Sequence, residues 1–164
     1  MTNKENKYIT LLKQLSLLIQ GEDDQISVLA NITALIKSEM NFFWVGFYLV
    51  KDKKNSDEKE LVLAPFQGSV ACYRIGYGKG VCGTSWKMGK TIIVDDVEQF
   101  PGHIACSSLS KSEIVIPIYN SKNEIVGVLD IDDDKLSTFD QIDKKYLEEA
   151  MQLLSKSLSI SKSL

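Results

Sequence analysis

The chain has no long apolar run, no cationic stripe and too few cysteines to build a disulfide framework. Its most apolar N-terminal stretch, Tyr8 to Ile19, is broken by Thr10, Lys13, Gln14 and Ser16, which argues against both a signal-peptide core and a membrane span. With 19 basic residues against 22 acidic ones the formal charge is -3, so no nucleic-acid partner is expected. Three cysteines in such a chain read as thiols of a cytoplasmic protein, and their odd number leaves at least one unpaired.

What is present fits a single domain spanning 1–164. Hydrophobic residues make up 44% of the chain and charged ones 25%, enough for one sizeable core. Apolar residues at Tyr8, Leu11, Leu12, Leu15, Leu18 and Ile19 have helical spacing, and the same period returns from Ile26 to Met40 behind the capping candidates Asp23 and Asp24. Phe42 to Val50, rich in aromatic and β-branched residues, is predicted as a buried strand, and residues 51–60 as a solvated hairpin loop before the strand signal at Leu61 to Leu63. Residues 68–89 carry six glycines and are predicted as irregular backbone of the kind that often holds sites. A short strand at 91–94, a hairpin of 112–119 with 124–130, and a final amphipathic helix from Ile142 through Leu158 complete the pattern. Helices at both ends with antiparallel strands between them predict an α+β fold, the terminal helices covering one sheet face or pairing in a homodimer.

Chemistry is concentrated in few residues. Cys72, Cys82 and Cys106, with the single His103, are considered first as zinc ligands, but their wide spacing departs from the close pairs of structural zinc sites, and no metal is expected. Buried inert thiols are the plain alternative. Because all three cysteines lie in or beside turn-rich segments, redox chemistry also fits: one thiolate attacks, becomes a sulfenic acid, and a second thiol resolves it. Asp130 and Asp132 alternate on a strand and so share a face, with Glu113 at the start of the neighbouring strand. They form either an acidic pocket, where crowding keeps one carboxyl protonated, or the solvated end of a strand that continues into Asp133 and Asp134. Trp44 and Tyr48 serve equally as core or as the wall of an apolar ligand pocket. His103 either lends positive charge to Cys106 or braces its loop.

The segments WVGFY (44–48), ACYRIGYGKGVCGTSW (71–86), FPGHIACSSLSKSEIVIPI (100–118) and GVLDID (127–132) together resemble the free methionine-(R)-sulfoxide reductases, a family of single-domain GAF-fold enzymes. The resemblance implies a GAF fold, with Cys106 as the nucleophile, Cys72 as the main resolving thiol and Cys82 as an alternative one. It further implies Glu113 as the acid that protonates the departing oxygen, with Asp130, Asp132, Trp44 and Tyr48 around the substrate. Backbone N–H groups near 104–106 would hold the substrate carboxylate or the polarised oxygen. No bound cofactor is implied, and thioredoxin is the expected external reductant. The charged 51–60 loop, Ser107 where the family commonly has an aspartate, and Asp133-Asp134 after LDID depart from the usual pattern. A GAF-type sensor that binds a small molecule or oxidant without turnover is the rival expectation, although 164 residues leave no room for a fused effector.

Overall fold

A computed structural model describes residues 1–104 and 106–157, so Leu158 and part of the 104–106 backbone lie outside the described residues. Helices α1 (Asn3–Leu18) and α2 (Gln25–Met40) lead into strands β1 (Trp44–Asp52), β2 (Lys59–Gln67) and β3 (Arg74–Gly76). Helix α3 (Gly80–Met88), strand β4 (Ile92–Val94) and a 3-10 turn at Val97–Gln99 follow. The hairpin β5 (Ser112–Tyr119) and β6 (Ile125–Asp133) and the helix α4 (Gln141–Ser157) complete the described chain. The strands form one six-stranded sheet in the order β3-β2-β1-β6-β5-β4, every pair antiparallel. The predicted α+β architecture with an antiparallel sheet is what the chain adopts.

Strand alternation divides the molecule into two layers. Val45, Phe47 and Leu49 of β1, Ile114, Ile116 and Ile118 of β5, and Leu129 and Ile131 of β6 all face the core shared with α1, α2 and α4. The helices meet them with Leu11, Leu15, Leu29, Ile32, Ile36, Leu147 and Leu154, residues at helical spacing that are almost wholly buried. The intervening residues, Trp44 and Tyr48 of β1, Val115 of β5 and Val128 of β6, belong to a second cluster on the opposite face, completed by Val81 and Cys82 of α3.

Caps fix where the outer helices begin. Thr2 and Glu5 make a reciprocal capping box at α1, which therefore starts several residues before the apolar stripe that reveals it, and the Asp24 carboxylate accepts from the Ser27 N–H at 2.8 Å at α2. At α4 the Asp140 carboxylate accepts from Ile142 N–H at 2.7 Å, while Asp143 accepts from Asp140 N–H at 2.8 Å. Asp143 is fully buried, accepts a hydrogen bond from the Tyr8 hydroxyl at 2.6 Å and pairs with the Lys4 ammonium, so it ties α1 to α4. Asp143→Ala would leave the Tyr8 hydroxyl without a partner and Lys4 with Asp140 alone; the expected cost is about 2 kcal/mol, seen in a thermal melt as a fall in Tm of roughly 4–8 °C.

Two expectations need correction. The connection between β1 and β2 is shorter than 51–60, because both strands extend into charged sequence and Asp52 pairs with Lys59 in register and by side chain at 2.9 Å. The glycine-rich segment is also not irregular throughout, since it contains β3 and α3. Gly83 is what permits α3: a Cβ there would strike the Gly76 carbonyl, and its absence lets the helix lie against the end of β3, with Gly78 N–H donating to Gly83 C=O at 3.0 Å. Gly89, at φ 64°, then stops the helix in the left-handed conformation.

Candidate active site

The face opposite α1, α2 and α4 holds a cavity lined in part by Trp44, Tyr48, Cys82, His103, Cys106, Glu113, Asp130 and Asp132. The register explains why the acids meet. Glu113 sits directly across from Asp132, and Val115 across from Asp130, so the alternating β6 positions 130 and 132 fall on the same face as 113. Glu113 and Asp130 are buried. Polar atoms of Cys82, Glu113 and Asp130 all lie within 4.8 Å of one another, and Cys82 Sγ is 4.0 Å from Glu113 Oε1. One oxygen of Asp130, Oδ1, is buried with no hydrogen-bond partner among the described residues.

This crowding sets the protonation of the site. Burial, then the neighbouring Asp130 and Asp132, hold the Glu113 carboxyl well above the usual carboxylate range. Asp132 is raised likewise by burial and by Asp130, against the hydrogen bond from Ser110. Asp130 is raised least, to about 6, because hydrogen bonds with Glu113 and Cys82 offset part of the burial. The crowding thus favours the protonated form more strongly at Glu113 and Asp132 than at Asp130. Burial followed by the adjacent carboxylates also raises the Cys82 thiol, which stays protonated.

The cysteines are not equivalent. Cys72, in the segment between β2 and β3, is joined to Cys106 by a disulfide with the Cα atoms 5.5 Å apart, although 34 residues separate them in sequence. Cys82 is the free cysteine, buried on α3 and not on a loop as its sequence surroundings suggest. Four donors for a tetrahedral zinc site are thus not gathered from Cys72, Cys82, Cys106 and His103: two of the sulfurs are bonded to each other, and the third stands among carboxyls. His103 Nε2 lies 3.9 Å from Glu113 Oε2, and burial lowers its pKa, which favours the neutral imidazole.

Two aromatic residues of β1 complete the cavity. The Trp44 indole stacks between Phe66 and Tyr48, with ring centroids 5.4 and 6.3 Å away, and its N–H donates to the Ser69 carbonyl at 2.9 Å. It lies over Gly46 and Gly68, either of which would strike the ring if it carried a Cβ. The Tyr48 hydroxyl donates to the Cys72 carbonyl at 2.8 Å. Sequence reasoning did not single out Ser110, the backbone of 69–72 or the start of α3 as parts of the site. The glycines at 46 and 68 carried the available signal for a close approach of an aromatic ring.

No helix among the described residues is long and apolar enough to cross a membrane. The GAF domain profile matches residues 23–159. GAF domain-containing protein A of Dictyostelium discoideum is 60% identical over 152 residues, covering 93% of this chain and 92% of that protein. Free methionine-R-sulfoxide reductase of Saccharomyces cerevisiae is 42% identical, covering 94% of this chain and 87% of that one. Among solved structures, free methionine-R-sulfoxide reductase from Neisseria meningitidis in complex with its substrate superposes with a TM-score of 0.90 at 45% identity, covering 98% of this chain and 95% of that chain. Agreement of sequence, fold and length on this scale places the chain in the GAF-domain family of free methionine-R-sulfoxide reductases.

Proposed function

We propose that the chain reduces free L-methionine-(R)-sulfoxide to methionine with its own thiols. The observation that carries this reading is that Cys106, bonded to Cys72, lines the same cavity as Glu113, Asp130 and Asp132. In the reduced protein the Cys106 thiolate attacks the sulfoxide sulfur while Glu113, held protonated by its surroundings, delivers a proton to the sulfoxide oxygen. The oxygen passes to the cysteine sulfur as a sulfenic acid, methionine leaves, and the substrate sulfur has gained the two electrons that Cys106 has lost. The Cys72 thiol then displaces the sulfenic hydroxyl as water, giving the disulfide. A dithiol reductant, thioredoxin, returns both cysteines to thiols, so each turnover converts one sulfoxide and one external dithiol into methionine, water and one external disulfide.

Substrate positioning follows from the same electrostatics. Ionised Asp130 holds the α-ammonium, with its unpartnered oxygen available to accept, while Asp132 shares the polar end with Glu113. Trp44 and Tyr48 pack the methyl-sulfinyl group. A peptide-bonded methionine sulfoxide lacks the ammonium and would leave a buried carboxylate unpaired, which is the physical basis for preferring the free amino acid. Cys82, locked on a helix and protonated, acts as a secondary thiol at most.

The test is a coupled assay following NADPH loss with thioredoxin, thioredoxin reductase and each sulfoxide epimer, free and within a peptide. Turnover of the free R epimer alone is expected. Absence of turnover above the enzyme-free rate would reject the reductase and favour a sensor that binds without reacting.

A further inference from the structure

The cavity does more than hold substrate: its aromatic wall also anchors the segment that carries the resolving cysteine. Gly68, at φ 135°, turns the chain off the end of β2. The following residues cross the site face and are fastened there by side chains of β1. Trp44 Nε1–H donates to Ser69 C=O at 2.9 Å, and the Tyr48 hydroxyl donates to the carbonyl of Cys72 itself at 2.8 Å. A backbone bond, Leu63 N–H to Tyr73 C=O at 2.9 Å, secures the far end before β3 begins. Tyr48 is 1% exposed, so its ring has no freedom to follow a wandering loop. Burial, then Asp130, keeps the phenol protonated, which makes it a permanent donor.

We propose that Tyr48 is a positioning residue for the resolving step: its hydroxyl, by holding the Cys72 carbonyl, sets the Cys72 sulfur where a sulfenic acid on Cys106 will form. This rests on the reductase reading above. The step itself is the attack of the Cys72 sulfur on the Cys106 sulfur. The S–S bond forms, the S–O bond breaks, and the Cys72 proton leaves with the hydroxyl as water. Cys72 is oxidised and the sulfenic sulfur reduced, with no further reagent needed. Nothing in that step requires the phenol as an acid or base; its contribution is to shorten the search of Cys72 for its partner.

The experiment is a single turnover of the reduced protein with excess free methionine-(R)-sulfoxide and no external reductant, comparing wild type with Tyr48→Phe and Trp44→Phe. Methionine release reports attack by Cys106. Loss of the Cys72 thiol, the second of the two consumed, reports disulfide closure, and dimedone labelling of Cys106 read by mass spectrometry reports the sulfenic acid between the two. Tyr48→Phe keeps the ring and removes only the donor, so disulfide closure is expected to slow about tenfold relative to methionine release, with dimedone-labelled Cys106 accumulating. Trp44→Phe, which loses the bond to Ser69, is expected to move the same ratio by a smaller factor. Equal slowing of both phases, or no change in their ratio in either variant, would overturn the proposal and leave Tyr48 as pocket wall alone. Failure of the wild type to release methionine would instead overturn the reductase reading, and this inference with it.

Discussion

Replacement of Cys106 by serine is expected to abolish turnover, a loss of at least about a thousandfold, because a neutral hydroxyl cannot supply the polarisable sulfur nucleophile that accepts the oxygen. The coupled assay reads the loss directly, and a cooperative melt of the variant under reducing conditions distinguishes it from unfolding. Cys82→Ser in the same assay is expected to stay within about tenfold of wild type, since Cys82 is neither bonded to Cys106 nor free to travel from α3. Peptide mapping of that variant after oxidation should still recover the link between Cys72 and Cys106. Turnover surviving in Cys106→Ser would show that another residue performs the attack.

Glu113→Gln is expected to lower kcat by roughly a hundred- to ten-thousandfold, the usual contribution of a positioned general acid. The shape of the pH profile carries more information than the size of the loss. Glu113 is raised well above the ordinary carboxylate range, so its proton is present at neutral pH and is lost as the pH rises through its elevated value. Wild-type kcat/KM should therefore fall on the alkaline side. On the acid side it should fall as Asp130 gains a proton below about 6 and ceases to hold the substrate ammonium. Glutamine has no proton to lose, so the residual activity of the variant should keep its acid limb and lose its alkaline one. A variant that retained both limbs unchanged would assign the alkaline titration elsewhere.

The part of this architecture most legible in the sequence was what depends on period alone. Helical stripes located α1, α2 and α4, and strict alternation in LDID placed Asp130 and Asp132 on one face before any register was known. The resemblance supplied the identities of the site residues, whose functional roles the experiments above test. Helix α3 was hidden because Gly80, Gly83 and Thr84 are poor helix formers, and the helix exists through its close seat on β3 at Gly83, a tertiary fact with no local signature. Its consequence was to misplace Cys82, which looks like a loop thiol beside glycines and is a buried helical one. The partnership of Cys72 with Cys106 was beyond spacing as well. The two loops, 34 residues apart in sequence, leave from opposite ends of the strand order, and only their reach over the sheet face brings the sulfurs within bridging distance. The hold of Trp44 and Tyr48 on the 69–73 segment depends on backbone carbonyls, which every sequence offers equally.

The acid cluster also makes the folded chain a proton reservoir. Unfolded carboxylates titrate near pH 4, whereas in the cavity Asp130 waits until about 6 and Glu113 and Asp132 titrate well above the usual range. Across that interval the native state retains protons that the denatured ensemble has surrendered, so the cluster costs the native state least below about pH 4 and progressively more as the pH rises towards the native values. The groups that equip the fold for reduction thus tax its endurance in base, and neutral replacements there would trade chemistry for robustness.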